Sequence, residues 1–478
     1  MKKVIPVLVL CALLSAIFAC NFPGENGDPE IEEAVPLSGE SSDQDTSDTE
    51  SETAAEPVSE QPPPDIDIEQ VDLIQPDDLV YIGAFRLPDL DGDNTWQYSG
   101  QGLTYYPSGD PQGSDGYTGS LFGFGHDQFL QVSEISIPVP VISTSVEELN
   151  TAEILQPFAD ISGGIYRAQD MVIPVAGLEY LPAQQGQTSD KLYFTFGQHL
   201  QYFETSHGWS ELDLAHPQAA GPWNFGSLTN YVSNDYIFEI PFEWAETYTP
   251  GQRLASGRFR EGLWGGAGPT LFAYAPWLDG NPPPADATLE TITPLLLYGT
   301  PDTEFSPDTM VFDETMQMNG YQRADHWYGG SWLTADSRSA VIFTGTKALE
   351  RSWYGFANGV VFEWGCDEQD PPTCPEVPAY PYDNRGFWAE DYEAQIIFFS
   401  PSELAAVAVG QIDTWEPQPY ATMSIQEYLF DPELDVELFK RDFMGACAFD
   451  RENGRLFIFE RLVRQDDSKS IIHVFEIQ

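Results

Sequence analysis

Gly102-Leu103-Thr104-Tyr105-Tyr106-Pro107 is followed by Ser120-Leu121-Phe122-Gly123-Phe124-Gly125 and then by Val132-Ser133-Glu134-Ile135-Ser136-Ile137-Pro138. Three short apolar runs, each bounded by Gly, Pro or polar residues, read as three strands joined by turns. The order recurs from Gly177-Leu178-Glu179-Tyr180-Leu181-Pro182 through Lys191-Leu192-Tyr193-Phe194-Thr195-Phe196-Gly197 to Asp235-Tyr236-Ile237-Phe238-Glu239-Ile240-Pro241. A third copy runs from Gly330-Ser331-Trp332-Leu333 through Ala340-Val341-Ile342-Phe343-Thr344-Gly345 to Gln395-Ile396-Ile397-Phe398-Phe399-Ser400-Pro401. The last goes from Gly445-Ala446-Cys447-Ala448-Phe449 through Arg455-Leu456-Phe457-Ile458-Phe459-Glu460 to Ile472-His473-Val474-Phe475-Glu476-Ile477. A degenerate unit sits between the second and third, at Pro269-Thr270-Leu271-Phe272-Ala273-Tyr274 and Pro294-Leu295-Leu296-Leu297-Tyr298.

Units that recur in this way cannot bury their faces alone and must stack on one another. Three-strand units that each need one more strand resemble the blades of a β-propeller. The resemblance implies an all-β ring over 79–478. Four clear units and one degenerate unit indicate five blades, with spacing irregular enough to admit six or seven. Fourth strands are fainter, with Ala152-Glu153-Ile154-Leu155-Gln156-Pro157-Phe158 and Gln418-Pro419-Tyr420-Ala421-Thr422-Met423-Ser424 as candidates. The last unit ends without one, and the unpaired run at 79–87, Leu-Val-Tyr-Ile-Gly-Ala-Phe-Arg-Leu, is expected to complete that blade and close the ring. Helical periodicity is nearly absent, so short helices are expected only at 402–409 and 424–430.

With 42% apolar and 13% aromatic residues, the chain can bury a sizeable core. Its 76 acidic against 20 basic residues leave a net charge of -56, which repels phosphate backbones and argues against a nucleic-acid partner. Segment 21–78 holds nineteen Asp or Glu and no Lys or Arg, the composition of a disordered acidic tether. Ahead of it, Lys2 and Lys3 precede an apolar run over 4–16 and then Ile17-Phe18-Ala19-Cys20, the order of an export signal. This stretch resembles a bacterial lipoprotein signal, and signal and repeats together resemble the propeller-like lipoproteins of bacteria. The resemblance implies cleavage before Cys20, lipidation of that cysteine, and a chain held to the membrane outside the cytoplasm by its N-terminal lipid alone. In such a compartment Cys366 and Cys374, which flank a short Asp- and Pro-rich loop, are expected to form a disulfide, while Cys447 reads as a small buried core thiol.

In propellers, what is known of the architecture implies that ligands collect at one end of the central channel. The loops there precede the innermost strand of each blade or join its second strand to its third. Ligand-binding candidates on those loops are Trp96, Tyr98, His126, His199, His326, Trp327, Tyr328, Lys347, Trp388 and Arg461. His126 beside Asp127, and Asp325 beside His326, supply the residue types for proton transfer, although neighbours along a strand face opposite ways. Carboxylates that could form a glycosidase pair are Asp127, Asp170, Asp325, Glu390, Asp391 and Asp442. His126, His199 and His326 together would be the ligands of a metal-assisted hydrolase. Asp89, Asp91 and Asp93 alternate as calcium ligands do, without the Gly and Glu of an EF-hand loop, so calcium is the candidate ion and no cofactor is assigned with certainty. No Gly-x-Ser-x-Gly elbow, zinc-binding helix motif or phosphate-binding Gly loop is present. The leading functional reading is therefore a surface propeller that binds a glycan or protein ligand on its channel face. The alternative is a hydrolase, a glycosidase first.

Overall fold

The computed structural model describes residues 67–478 apart from 90–94, 114–115, 166–173, 199–203, 227, 260, 302–309, 312, 364–365, 367–372, 381, 432–442 and 464–468. The strands form five blades. Blade 1 comprises Leu103–Tyr106, Ser120–Phe124, Val132–Ser136 and Ile154–Ala159, joined antiparallel in that order. Blade 2 comprises Pro174–Leu181, Lys191–Gln198, His207–Ser210 and Ala220–Phe225, with Thr288–Leu289 added in parallel at its outer edge. Blade 3 comprises Tyr236–Glu239, Leu254–Gly257, Leu271–Tyr274 and Ile292–Leu296. Blade 4 comprises His326–Ala335, Arg338–Phe356, Arg385–Phe399 and Ala421–Ser424.

Blade 5 takes three strands, Met444–Asp450, Arg455–Glu460 and Ile471–Ile477, from the C-terminal end of the chain. Its fourth is Leu79–Arg86, paired antiparallel so that Ala84 faces His473 and Phe85 faces Ile472. Leu79–Arg86 and the last strand, Ile471–Ile477, thus share one sheet, and the ring has no open blade.

The first strands of the five blades contact one another in the order 1-2-3-4-5-1 and line the channel. Their leading glycines follow from that proximity. A Cβ on Gly177 would come within 2.2 Å of the Asp235 carbonyl oxygen on the next blade, and one on Gly445 within 2.6 Å of the Gly100 oxygen. The backbones touch there, so any side chain would force the ring open.

Between successive blades lie five apolar layers. Leu121 and Ile135 of blade 1 pack with Phe457, Phe459 and Ile472 of blade 5, whereas Phe122 and Phe124 turn to Leu178, Phe194 and Phe196 of blade 2. Ile342 of blade 4 joins Ile458 and Phe475 of blade 5, while its neighbours Val341 and Phe343 join Phe238 and Leu271 of blade 3. Tyr193 and Phe225 of blade 2 meet Phe272 and Tyr274 of blade 3. A strand buried on both faces needs no polar alternation, which is why these segments read as continuous apolar runs.

Three expectations change. The stretch 235–241 is the innermost strand of blade 3 and not the third strand of blade 2. Blade 2 instead uses His-Gly-Trp-Ser and Ala-Gly-Pro-Trp-Asn-Phe, whose Gly, Pro and polar residues hid two strands held by the buried Trp223 and Phe225. Leu271–Tyr274 and Ile292–Leu296 then complete an ordinary blade 3. The domain also starts before Leu79, because Asp72–Leu73 pairs with Arg338–Ser339 and Ile74 is fully buried, so the tether boundary at Asp78 falls too late. A helix forms at Pro401–Ala408 as expected, but only a single 3-10 turn, Gln426–Tyr428, forms within 424–430.

Candidate functional site

At the loop end singled out by sequence, the aromatic candidates divide. Trp96 and Trp327 are fully buried and Trp388 nearly so. They pack the blades and are not available for stacking on a ligand. The Tyr98 and Phe129 rings lie 5.2 Å and 5.1 Å from the His126 ring. Asp127 Oδ1 approaches His126 Nδ1 to 3.2 Å, but that nitrogen accepts the Gln128 N–H at 3.1 Å. With Nδ1 used as an acceptor, it has no proton to share with Asp127, and the pair is not a proton relay.

Asp325 and His326 also point apart. Fully buried Asp325 takes Lys347 Nζ at 2.6 Å and the Ala348 N–H at 3.0 Å on one oxygen, and the Gln322 N–H at 2.9 Å on the other. Burial pushes its carboxyl up to about 6, against the pull of Lys347. Asp325 therefore ties the loop before blade 4 to that blade's second strand. His326 Nδ1 instead meets the Tyr328 hydroxyl at 2.8 Å, and the Arg461 guanidinium lies 5.7 Å from the Tyr328 ring while Nε donates to the Ser99 oxygen at 3.1 Å. Removing the cation in Lys347→Met should cost about 2–3 kcal/mol at pH 8, since two N–H donors remain on Asp325. Urea denaturation should show that penalty shrinking toward pH 5, where Asp325 is protonated, and an equal penalty at both pH values would refute the ion-pair account.

The remaining candidates scatter. Glu390 pairs with Arg351 at 3.0 Å on an exposed hairpin, and Asp391 accepts the Tyr392 N–H at 2.9 Å. Asp89 pairs with Lys469. Asp91, Asp93, Asp170, His199, Asp442 and Cys20 lie outside the described residues. Among the described residues no group of three or more His, Cys, Asp or Glu is placed to hold a metal ion. Cys366 and Cys374 are joined in a disulfide, and burial pushes the Cys447 thiol up to about 12.

A second site lies at the other end of the channel, where the innermost strands finish. All five blades contribute to a cavity of about 360 Å³, among them Thr104 and Tyr105 from blade 1, Glu179 from blade 2 and Phe238 and Glu239 from blade 3. Blade 4 adds Ser331 and blade 5 adds Cys447 and the turn from Asp450 to Glu452. An innermost strand is a sheet edge, and its channel-facing N–H groups need partners from across the ring. The Tyr180 N–H donates to Thr104 Oγ1 at 2.8 Å, and the Glu239 N–H donates to Glu179 Oε1 at 2.9 Å. Thr104 Oγ1 in turn donates to Glu179 Oε2 at 2.9 Å.

The two carboxyls differ in electrostatic setting. Glu239 is bonded by Arg253 Nη2, and Arg451 Nε lies 3.6 Å from its second oxygen. Arg253 is itself fixed by the Ile240 carbonyl at 3.0 Å and Gln184 Oε1 at 2.9 Å, and Arg451 by Thr334 Oγ1 at 2.8 Å. Glu179 has no such cation among the described residues. Burial first, and the charge of Glu239 second, push its carboxyl up to about 8, so at neutral pH it is largely a neutral acid. Asp450 is occupied in its own turn, accepting from the Glu452 and Asn453 N–H groups, each at 3.1 Å.

Sequence reading missed Glu179, Glu239 and Arg451. The available signal was a carboxylate at the inner-strand position that holds Thr104 and Cys447 in other repeats. No protein-family model matches the chain, and no curated protein is significantly similar to it.

Proposed function

We propose that this chain is a lipid-anchored, extracytoplasmic propeller that binds a glycan in the cavity where its innermost strands end. The supporting observation is that cavity: about 360 Å³ of space lined from all five blades by carboxyl, hydroxyl and guanidinium groups beside aromatic rings. Small-ligand sites have this size and this mixture of apolar walls with a few fixed polar groups. The N-terminal Lys-Lys, apolar run and Cys20 support export and anchoring, and the acidic segment behind them supports display of the domain away from the membrane.

A glycan array followed by hydrogen–deuterium exchange tests the reading. A bound glycan should protect 103–107, 177–182 and 236–239. Protection confined to 95–101 and 125–131 would move the site to the opposite end of the channel and refute the assignment. Hydrolysis is the second reading, favoured by two carboxyls in a shared cavity, of which Glu179 is held protonated at neutral pH as a general acid must be. Arg253 and Arg451 already occupy the two Glu239 oxygens, so binding is placed first.

A further inference from the structure

Resting on that assignment of the cavity, we infer that the ligand enters it through a primary ammonium group, which becomes the counter-cation of Glu179. A carboxyl taken out of water is stable either as an ion with a partner or as a neutral acid. The fold gives the Glu179 oxygens the Thr104 hydroxyl and the Glu239 N–H, both neutral donors, and commits the nearby arginines to Glu239. Glu179 is thus an acidic group opening into a cavity with its counter-ion missing.

The chemistry of the walls favours a compact cation. Four carboxyl side chains, Glu179, Glu239, Asp450 and Glu452, line the cavity, and the net charge of -56 raises the local concentration of cations. A divalent metal fits less well, because among the described residues no three metal-ligating side chains converge. The titratable and charged groups around Glu179 are Glu239 on blade 3, Asp450, Arg451, Glu452 and Cys447 on blade 5, and the phenols of Tyr105 and Tyr180. Of these, Glu239 favours the protonated acid and Arg451 opposes it. An arriving ammonium reverses the balance: the Glu179 proton leaves to solvent, and the carboxylate accepts charge-assisted hydrogen bonds from the ligand.

The test is calorimetry at pH 6 with glucosamine, N-acetylglucosamine, glucose and 1,4-diaminobutane, each in two buffers of different ionisation enthalpy. Glucosamine should bind at least about tenfold more tightly than N-acetylglucosamine, releasing close to one proton. Glu179→Gln should keep its melting transition and lose both the preference and the proton release. Glu246→Gln, an exposed residue of the helix Phe242–Tyr248 that does not line the cavity, should keep both. Equal binding of the amine and its acetylated form, or a preference that survives in Glu179→Gln, overturns the ammonium inference while leaving the cavity as a glycan site. Binding of the diamine without any sugar upholds the ammonium and removes the glycan. No binding by any probe removes both.

Discussion

Glu179→Gln should stabilise the protein at pH 9 and leave it almost unchanged at pH 4. The carboxyl sits at about 8 in the folded chain against an ordinary value of 4.5. Below 4.5 both folded and unfolded chains carry the proton, and the residue contributes nothing to the difference. Between 4.5 and 8 the unfolded chain has released the proton and the folded chain has kept it, so stability falls as pH rises through this window. The accumulated loss approaches about 5 kcal/mol well above pH 8. Glutamine removes it without breaking the local bonds: its oxygen can accept the Glu239 N–H, and its amide can donate to Thr104 Oγ1. Because the other titrating groups are common to both chains, the difference between their denaturation curves reports Glu179 together with its coupling to Glu239. Curves that stay parallel from pH 4 to pH 9 would show that Glu179 ionises normally.

A chain that begins after Arg86 should lose its cooperative unfolding transition altogether. Leu79–Arg86 supplies the fourth strand of blade 5, with Ala84 and Phe85 fully buried and Leu79 nearly so. Loss of a buried Phe side chain alone costs about 3–5 kcal/mol, and a whole domain has only about 5–15 kcal/mol in hand. Tyr81 adds a ring stack on Tyr428 at 4.4 Å and a hydroxyl 3.1 Å from His473 Nδ1. Through His473 that strand reaches Glu460, whose buried carboxylate also accepts the Phe430 and Asp431 N–H groups. Without the strand, Ile471–Ile477 becomes an apolar edge open to pairing with other chains. The shortened protein should aggregate or bind an apolar dye. A synthetic peptide spanning 67–89, added in excess, should restore the transition. Retention of a sharp transition within a few degrees of the full chain would contradict closure of the ring by this strand.

The ring was legible because its physics repeats. Gly102, Gly177 and Gly445 mark places where neighbouring innermost strands nearly touch, and runs such as Leu456 to Phe459 reflect burial on both faces of a blade. The phase of blades 2 and 3 was not legible. His207–Ser210 carries a buried histidine, pulled down to about 3 by desolvation and flanked by Ser206 and Ser256 hydroxyls, each at 2.9 Å. A polar residue satisfied in this way looks like a loop residue in sequence. Likewise, His126 and Asp127 attract notice because they are adjacent, yet backbone geometry sets their partners. Glu179 and Glu239 are sixty residues apart among 76 acids, and only the packing of successive innermost strands brings the N–H of one to the carboxyl of the other.

The most direct measurement is the titration of the Glu179 carboxyl itself, by carbon-13 NMR of glutamate-labelled protein with Glu179→Gln as the subtraction. The account predicts a midpoint near 8 in the free protein and a lower midpoint when the cavity is saturated with glucosamine. A midpoint near 4.5, or one that saturating glucosamine leaves in place, would contradict it.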